Sequence, residues 1–141
     1  MQSGNHHSGA RRSRAICAGV AALAIFGARA ADTTPAQQLE RFSRQAGAPG
    51  QAARGEAFFN SRQGGEWSCS SCHGAPPVSP GKHASTGKVI DPLAPAFNAD
   101  AFTRTAKVDK WFRRNCNDVA KRECGASEKA DVMAYLLQLK P

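Results

Sequence analysis

The chain has 141 residues, 19 Lys and Arg against 11 Asp and Glu for a formal net charge of +8, five Cys, 8 Pro and 13 Gly. A chain of this length is enough for one small domain. Four of the basic residues and no acidic one lie in the first 30 positions, so a chain cut after Ala30 keeps 15 basic against 11 acidic residues, a net charge of +4.

Such a cut is what the N-terminus predicts. Arg11, Arg12 and Arg14 precede a short apolar run over residues 15–28, and Ala28-Arg29-Ala30 has the small-x-small form of a cleavage site. Residues 1–30 read as an export signal and residues 31–141 as a single mature domain. The run is short for a bilayer span and a polar segment follows it, so no stable membrane anchor is expected after cleavage. Cys17 follows bulky Ile16 at the start of the run, which is not a lipoprotein context. The expected location is a bacterial periplasm, where nucleic acid is not an expected partner.

Helical signals follow. Thr34-Pro35-x-Gln37 predicts an N-cap, a Pro in the first turn and a capping box, with Leu39, Phe42 and Ala46 at helical spacing and Gly47 as a stop. A second helix is expected over residues 51–61, with Ala53, Ala57 and Phe58 on its apolar face. Gly55 inside it is costly for an isolated helix and points to close approach of another helix.

A Gly-containing turn over residues 62–68 leads into Cys69-Ser70-Ser71-Cys72-His73, which reads C-x-x-C-H, the attachment site of a c-type haem. Two thiols three positions apart add to the two vinyl groups of one porphyrin, and the adjacent imidazole reaches the iron. An all-cysteine zinc site completed by Cys116 and Cys124 is the first alternative. It fits poorly, because structural zinc sites favour a second close pair and these two are separated by seven residues. A redox dithiol needs a strand–helix context that Ser, Gly and Pro deny here. There is one such motif and no internal repeat, so one haem c is expected.

Residues 74–97 carry five Pro and three Gly, the composition of an ordered loop placed to wrap the haem edge. Residues 100–105 suggest a short helical turn. Residues 106–120 are clearly helical, with Val108, Trp111, Phe112, Asn115 and Val119 along one stripe. Ser127 is the expected cap of a last helix lined by Val132, Leu136 and Leu139, with Met133, Tyr135 and Leu137 widening the stripe. No segment alternates as a strand. A Cys116–Cys124 disulfide would close a nine-residue loop and pin the end of the helix that carries Asn115.

The motif fills one axial position of the iron. Methionine fills the other in many cytochromes c, but the only one after residue 30 is Met133, on an apolar helix face where a core role is expected. The remaining candidates are His83, the lysines Lys88, Lys107 and Lys110, an empty position, and Asn115. Asn115 is an amide on an apolar stripe and needs a partner, either the iron or the backbone.

Several stretches are similar to one family. They are Gly74 after the motif, Thr86-Gly87-Lys88 with Ile90, Pro92-Leu93-Ala94-Pro95, and Trp111-x-x-Arg114-Asn115-Cys116-Asn117 followed by Cys124. From about Asp32 to Leu139 the chain resembles the sphaeroides haem protein family of bacterial class I-like cytochromes c. The resemblance implies an all-α, class I cytochrome c-like domain around one covalent haem, with an additional N-terminal helix. It implies Cys69 and Cys72 as anchors, His73 as proximal ligand, Asn115 as a distal ligand released on reduction, and a Cys116–Cys124 disulfide. It also implies O2, NO or CO as ligands of the ferrous iron and a dihaem cytochrome as redox partner.

Two other functions compete with a gas-binding haem: a plain electron carrier with unusual ligation, and a non-redox domain of another exported complex. The lack of a usable methionine speaks against the carrier, and the completeness of the domain against the third. Catalysis stays open, because no acid/base pair identifies itself as a proton source. Lys107, Lys110, Arg113, Arg114, Lys121 and Arg122 surround the Asn-bearing helix and suit either a solvated face or docking to an acidic partner.

Overall fold

Helix α1 (Pro35–Ala46) starts where its sequence says it must. Gln37 N donates to Thr34 Oγ1 at 3.2 Å and Thr34 N donates to Gln37 Oε1 at 2.8 Å, so the box is closed in both directions. Gly47 ends it in the left-handed region. These residues belong to a computed structural model that describes residues 1, 2, 4 and 31–141. The expected export segment falls, but for residues 1, 2 and 4, outside the described residues.

Helix α2 (Ala52–Asn60) buries a different face from the expected one. Gly55 and Phe59 are buried, Phe58 is half-buried, and Ala53 and Ala57 are exposed. The reason is α5 (Ala126–Gln138), which crosses so close to Gly55 that a Cβ there would collide with the Asp131 carbonyl. That contact turns α2 so that Phe59 enters the core.

The short helix α3 (Cys69–His73) is a single capped turn. After it, the Pro-rich stretch is loop except for three short elements. Gly81–Lys82 (β1) pairs antiparallel with Val89–Ile90 (β2), with Gly81 opposite Ile90 and Lys82 opposite Val89. Two residues per strand leave no alternation to read, which is why no strand was expected. A 3₁₀ turn spans Pro95–Phe97. Residues 99–102 form turns rather than the expected helix.

Helix α4 (Thr105–Ala120) is capped from upstream. Asp32 Oδ1 accepts from Thr105 N at 2.8 Å and from Thr105 Oγ1 at 2.9 Å, and these bonds hold the Asp32 carboxyl below its usual range. Helix α5 is capped by Gly125 rather than Ser127. Gly125 N donates to Glu128 Oε2 at 2.8 Å, and Arg122 grips both Glu128 oxygens at 2.8 and 2.6 Å. The fold is thus helical with one minor two-stranded ladder among the described residues.

The core has two lobes along α5. Phe42, Val108, Ala130 and Met133 form one, and Phe59, Val132, Tyr135 and Leu136 the other. Phe112 of α4 packs against both, and meets Phe42 edge-on at 5.3 Å between ring centroids. One side of α4 is thereby fixed against α1 and α5.

Candidate haem site

The motif is held by serines. Ser71 N donates to Ser68 Oγ at 3.2 Å and Ser68 N donates to Ser71 Oγ at 3.0 Å, and Gly74 N closes the turn on the Ser70 carbonyl at 2.9 Å. Within one helical turn, positions i, i+3 and i+4 share a face. Cys69, Cys72 and His73 accordingly all line one cavity. The hairpin closes in behind them. Ala84 N donates to Cys72 Sγ at 3.3 Å, and a Cβ on Gly81 would collide with the Cys72 carbonyl. Gly81 and Phe59, whose ring centroid lies 6.3 Å from that of His73, are supports that sequence reading missed. A glycine inside a Pro-rich loop was the available signal for the first. None marked the second, because which face α2 buries depends on α5.

The cavity has a volume of about 590 Å³, within the roughly 300–1,000 Å³ of ligand and cofactor sites. Helix α4 supplies another part of the wall: the whole predicted stripe of Val108, Trp111, Phe112, Asn115 and Val119 lines it. Asn115 lies inside α4, away from both helix ends, so it is not a cap. Residues from β2 and the loop after it, including Val89, Ile90 and Leu93, complete the wall, as the expected wrapping loop requires.

The electrostatics suit an apolar cofactor with one nitrogen ligand. Burial pushes the Cys69 thiol up to about 11 and pushes the His73 imidazole down, towards the neutral form that ligates metals. His73 Nδ1 is buried without a hydrogen-bond partner among the described residues. Neither motif cysteine takes part in a disulfide. A large, largely apolar cavity, two cysteines outside any disulfide on one face and a buried imidazole nitrogen without a protein partner fit a covalently attached haem. The zinc alternative fails, because Cys116 and Cys124 are bonded to each other, with Cα atoms 5.6 Å apart.

The other ligand candidates are sorted by position. Met133 is fully buried against Phe42, Val108 and Ala130 and is not part of the cavity wall. Lys110 is also off the wall, whereas Lys88, Lys107 and His83 are on it. The His83 ring is engaged by its own loop: Thr86 N donates to Nδ1 at 3.3 Å, and Ser85 Oγ lies 3.2 Å away.

Comparison with known proteins agrees with this picture. The chain is 48% identical over 113 residues to cytochrome c-type protein SHP of Cereibacter sphaeroides, which covers 77% of this chain and 87% of that protein. Its structure is similar to that of oxidized SHP, described as an oxygen-binding cytochrome c, with a TM-score of 0.72 and 47% identity over 77% of this chain and 99% of that one. It is similar as well to the solution structure of cytochrome c'' from Methylophilus methylotrophus, described in terms of haem-ligand detachment, with a TM-score of 0.67 and 34% identity over 76% and 94% of the two chains. Fold and relatives together define a small helical c-type cytochrome carrying one covalently bound haem c. A family model described as a domain of unknown function (DUF1924) matches residues 45–136. The chain belongs to this family, that of the sphaeroides haem protein.

Proposed function

We propose that Cys69 and Cys72 hold the haem through thioether bonds, that His73 is its proximal ligand and that Asn115 is a distal ligand which leaves on reduction. The haem supplies there a one-electron iron centre with two axial positions. The observation that carries the reading is positional: Asn115 and His73 line one cavity, while Met133 is sealed in the core.

The Asn115 carboxamide is a weak, hard donor and favours Fe(III) over Fe(II). Reduction releases it, and its side of the cavity opens to O2, NO or CO. Asn115 is thus the switching part of a two-state element biased by one electron. The oxygen binding named for SHP and the ligand detachment named for cytochrome c'' support the same behaviour here. The electron comes from another cytochrome. The export pattern of residues 1–30 supports a periplasmic location for a mature domain of residues 31–141; among the described residues no helix is long and apolar enough to cross a membrane.

Optical spectra of both oxidation states test this reading. A six-coordinate ferric form that becomes high-spin and CO-reactive on reduction is the expected result. A ferrous form that stays low-spin and CO-inert overturns it in favour of a plain electron carrier.

A further inference from the structure

Helix α4 carries a run of positive charge at and beside the rim of the haem cavity. Lys107, Lys110, Arg113 and Arg114 occupy adjacent turns and are all exposed. The acids of the same helix do not neutralise them. Asp109 is already paired with Arg41 at 2.6 Å, and Asp118, four residues after Arg114, makes no ion pair with it. Among the described residues none of the four cations has a carboxylate within salt-bridge distance. Like charges at these spacings repel along a helix, so the run is a net cost to the isolated fold that an acidic surface would relieve.

Trp111 stands in the middle of this run and joins it to the cofactor. The residue lines the haem cavity. Its ring also carries the Arg114 guanidinium at 5.3 Å and the Lys110 ammonium at 5.7 Å from the ring centroid. Lys107 and Arg114 sit on the cavity rim, whereas Lys110 and Arg113 lie wholly off it. An aromatic anchor with Arg beside it, inside a charged rim, is the usual anatomy of a protein–protein contact. Here the anchor touches the cavity of a redox cofactor on its other side.

We propose that this side of α4, with Trp111 flanked by Lys107, Lys110 and Arg114 and with Arg113 next to Lys110 at its edge, docks an acidic electron-donor protein. The proposal rests on the reading of the chain as a redox cytochrome supplied by another protein, and it assigns the surface. One electron leaves the reduced partner, which is oxidised by one electron, and takes the ferric iron to ferrous; no group is transferred. Positive charge beside the entry point steers the encounter and sets its orientation.

The test is stopped-flow reduction of the full holoprotein by a small acidic flavoprotein in its reduced form. The double variant Lys110→Glu/Arg113→Glu alters only residues off the cavity wall. It should lower the second-order rate about tenfold at low salt and flatten the ionic-strength dependence. Its ferric spectrum and its reduction by dithionite should match the parent, and Lys110→Arg/Arg113→Lys should keep the parent rate. An unchanged rate and salt dependence in the charge-reversed variant overturns the proposal. So does co-sedimentation of the parent, but not the variant, with vesicles containing anionic lipid when the flavoprotein rate is unaltered; that result assigns the face to a membrane surface. The ligation reading fails separately, on the spectra alone, because the rate comparison needs only a reducible haem.

Discussion

Cys116 is bonded to Cys124 across the turn that joins α4 to α5, and the residue before Cys116 is Asn115. The bond closes a nine-residue loop that contains the left-handed Lys121 ending α4. Both cysteines are buried and are among the residues that line the haem cavity. The end of α4 is further held by Gly65, whose N–H donates to the Val119 carbonyl at 2.9 Å. Asn115 therefore sits on a segment fixed at two points, so the proposed release of its side chain from the iron would leave its backbone in place.

The double variant Cys116→Ser/Cys124→Ser should lose about 2.6 kcal/mol of stability on the loop-entropy estimate for nine residues. Denaturant unfolding of the holoprotein measures this directly. A loss below about 1 kcal/mol would show that α4 and α5 are held in register by their packing alone.

Asn115→Ala removes the proposed distal donor without touching the motif. The ferric spectrum should change to that of an iron open to water or small anions, and CO should still bind the ferrous form. Global stability should fall little, because Asn115 is only half-buried and its helix is held by its neighbours. An unchanged ferric spectrum removes Asn115 as a ligand and returns the position to His83, Lys88 or Lys107, the sequence candidates that also lie on the cavity wall.

What the sequence made legible was what local chemistry decides. Thr34 and Gln37 announce α1 because a capping box is complete within four residues. The stripe from Val108 to Val119 announces both α4 and its cavity-facing side, since one periodicity encodes both. Met133 could be set aside because its neighbours at helical spacing are apolar. The missed features all depend on contacts between distant segments. Phe59 is buried because α5 packs on Gly55. Gly125 displaces Ser127 as a cap because Arg122 orients Glu128. The hairpin is too short to leave a pattern, although it forms part of the cavity wall.

Gly55→Ala sets helix propensity against packing. In an isolated helix the change would stabilise by about 1 kcal/mol. In this fold the added methyl meets the Asp131 carbonyl, and backbone cannot rotate aside as a side chain can. The expected result is destabilisation by about 3 kcal/mol, at the upper end for overpacking. Ala53→Gly on the exposed face of the same helix should cost about 1 kcal/mol and serves as the control. A stabilised Gly55→Ala variant would show that α2 and α5 stand further apart than described.

Asp131 ties the same two helices together by charge. Its side chain is 8% exposed. Gln51 N donates to Oδ1 at 2.6 Å, and Arg54 donates to both oxygens at 2.8 Å. Burial by itself raises this carboxyl, but the hydrogen bonds from Arg54 and Gln51 outweigh it and hold the group below its ordinary value. A carboxyl lowered in the folded state adds stability that is complete above its unfolded value, near pH 4, and lost as pH falls through the lower folded value. Arg54 is 49% exposed, so solvent screens the pair and the contribution is modest. Asp131→Asn should cost about 2 kcal/mol at pH 7. The difference from the parent should shrink as unfolding is measured at progressively lower pH below 4. A gap between parent and variant that stays constant from pH 7 to pH 2.5 would mean that the ionised carboxylate contributes nothing to the α2–α5 contact.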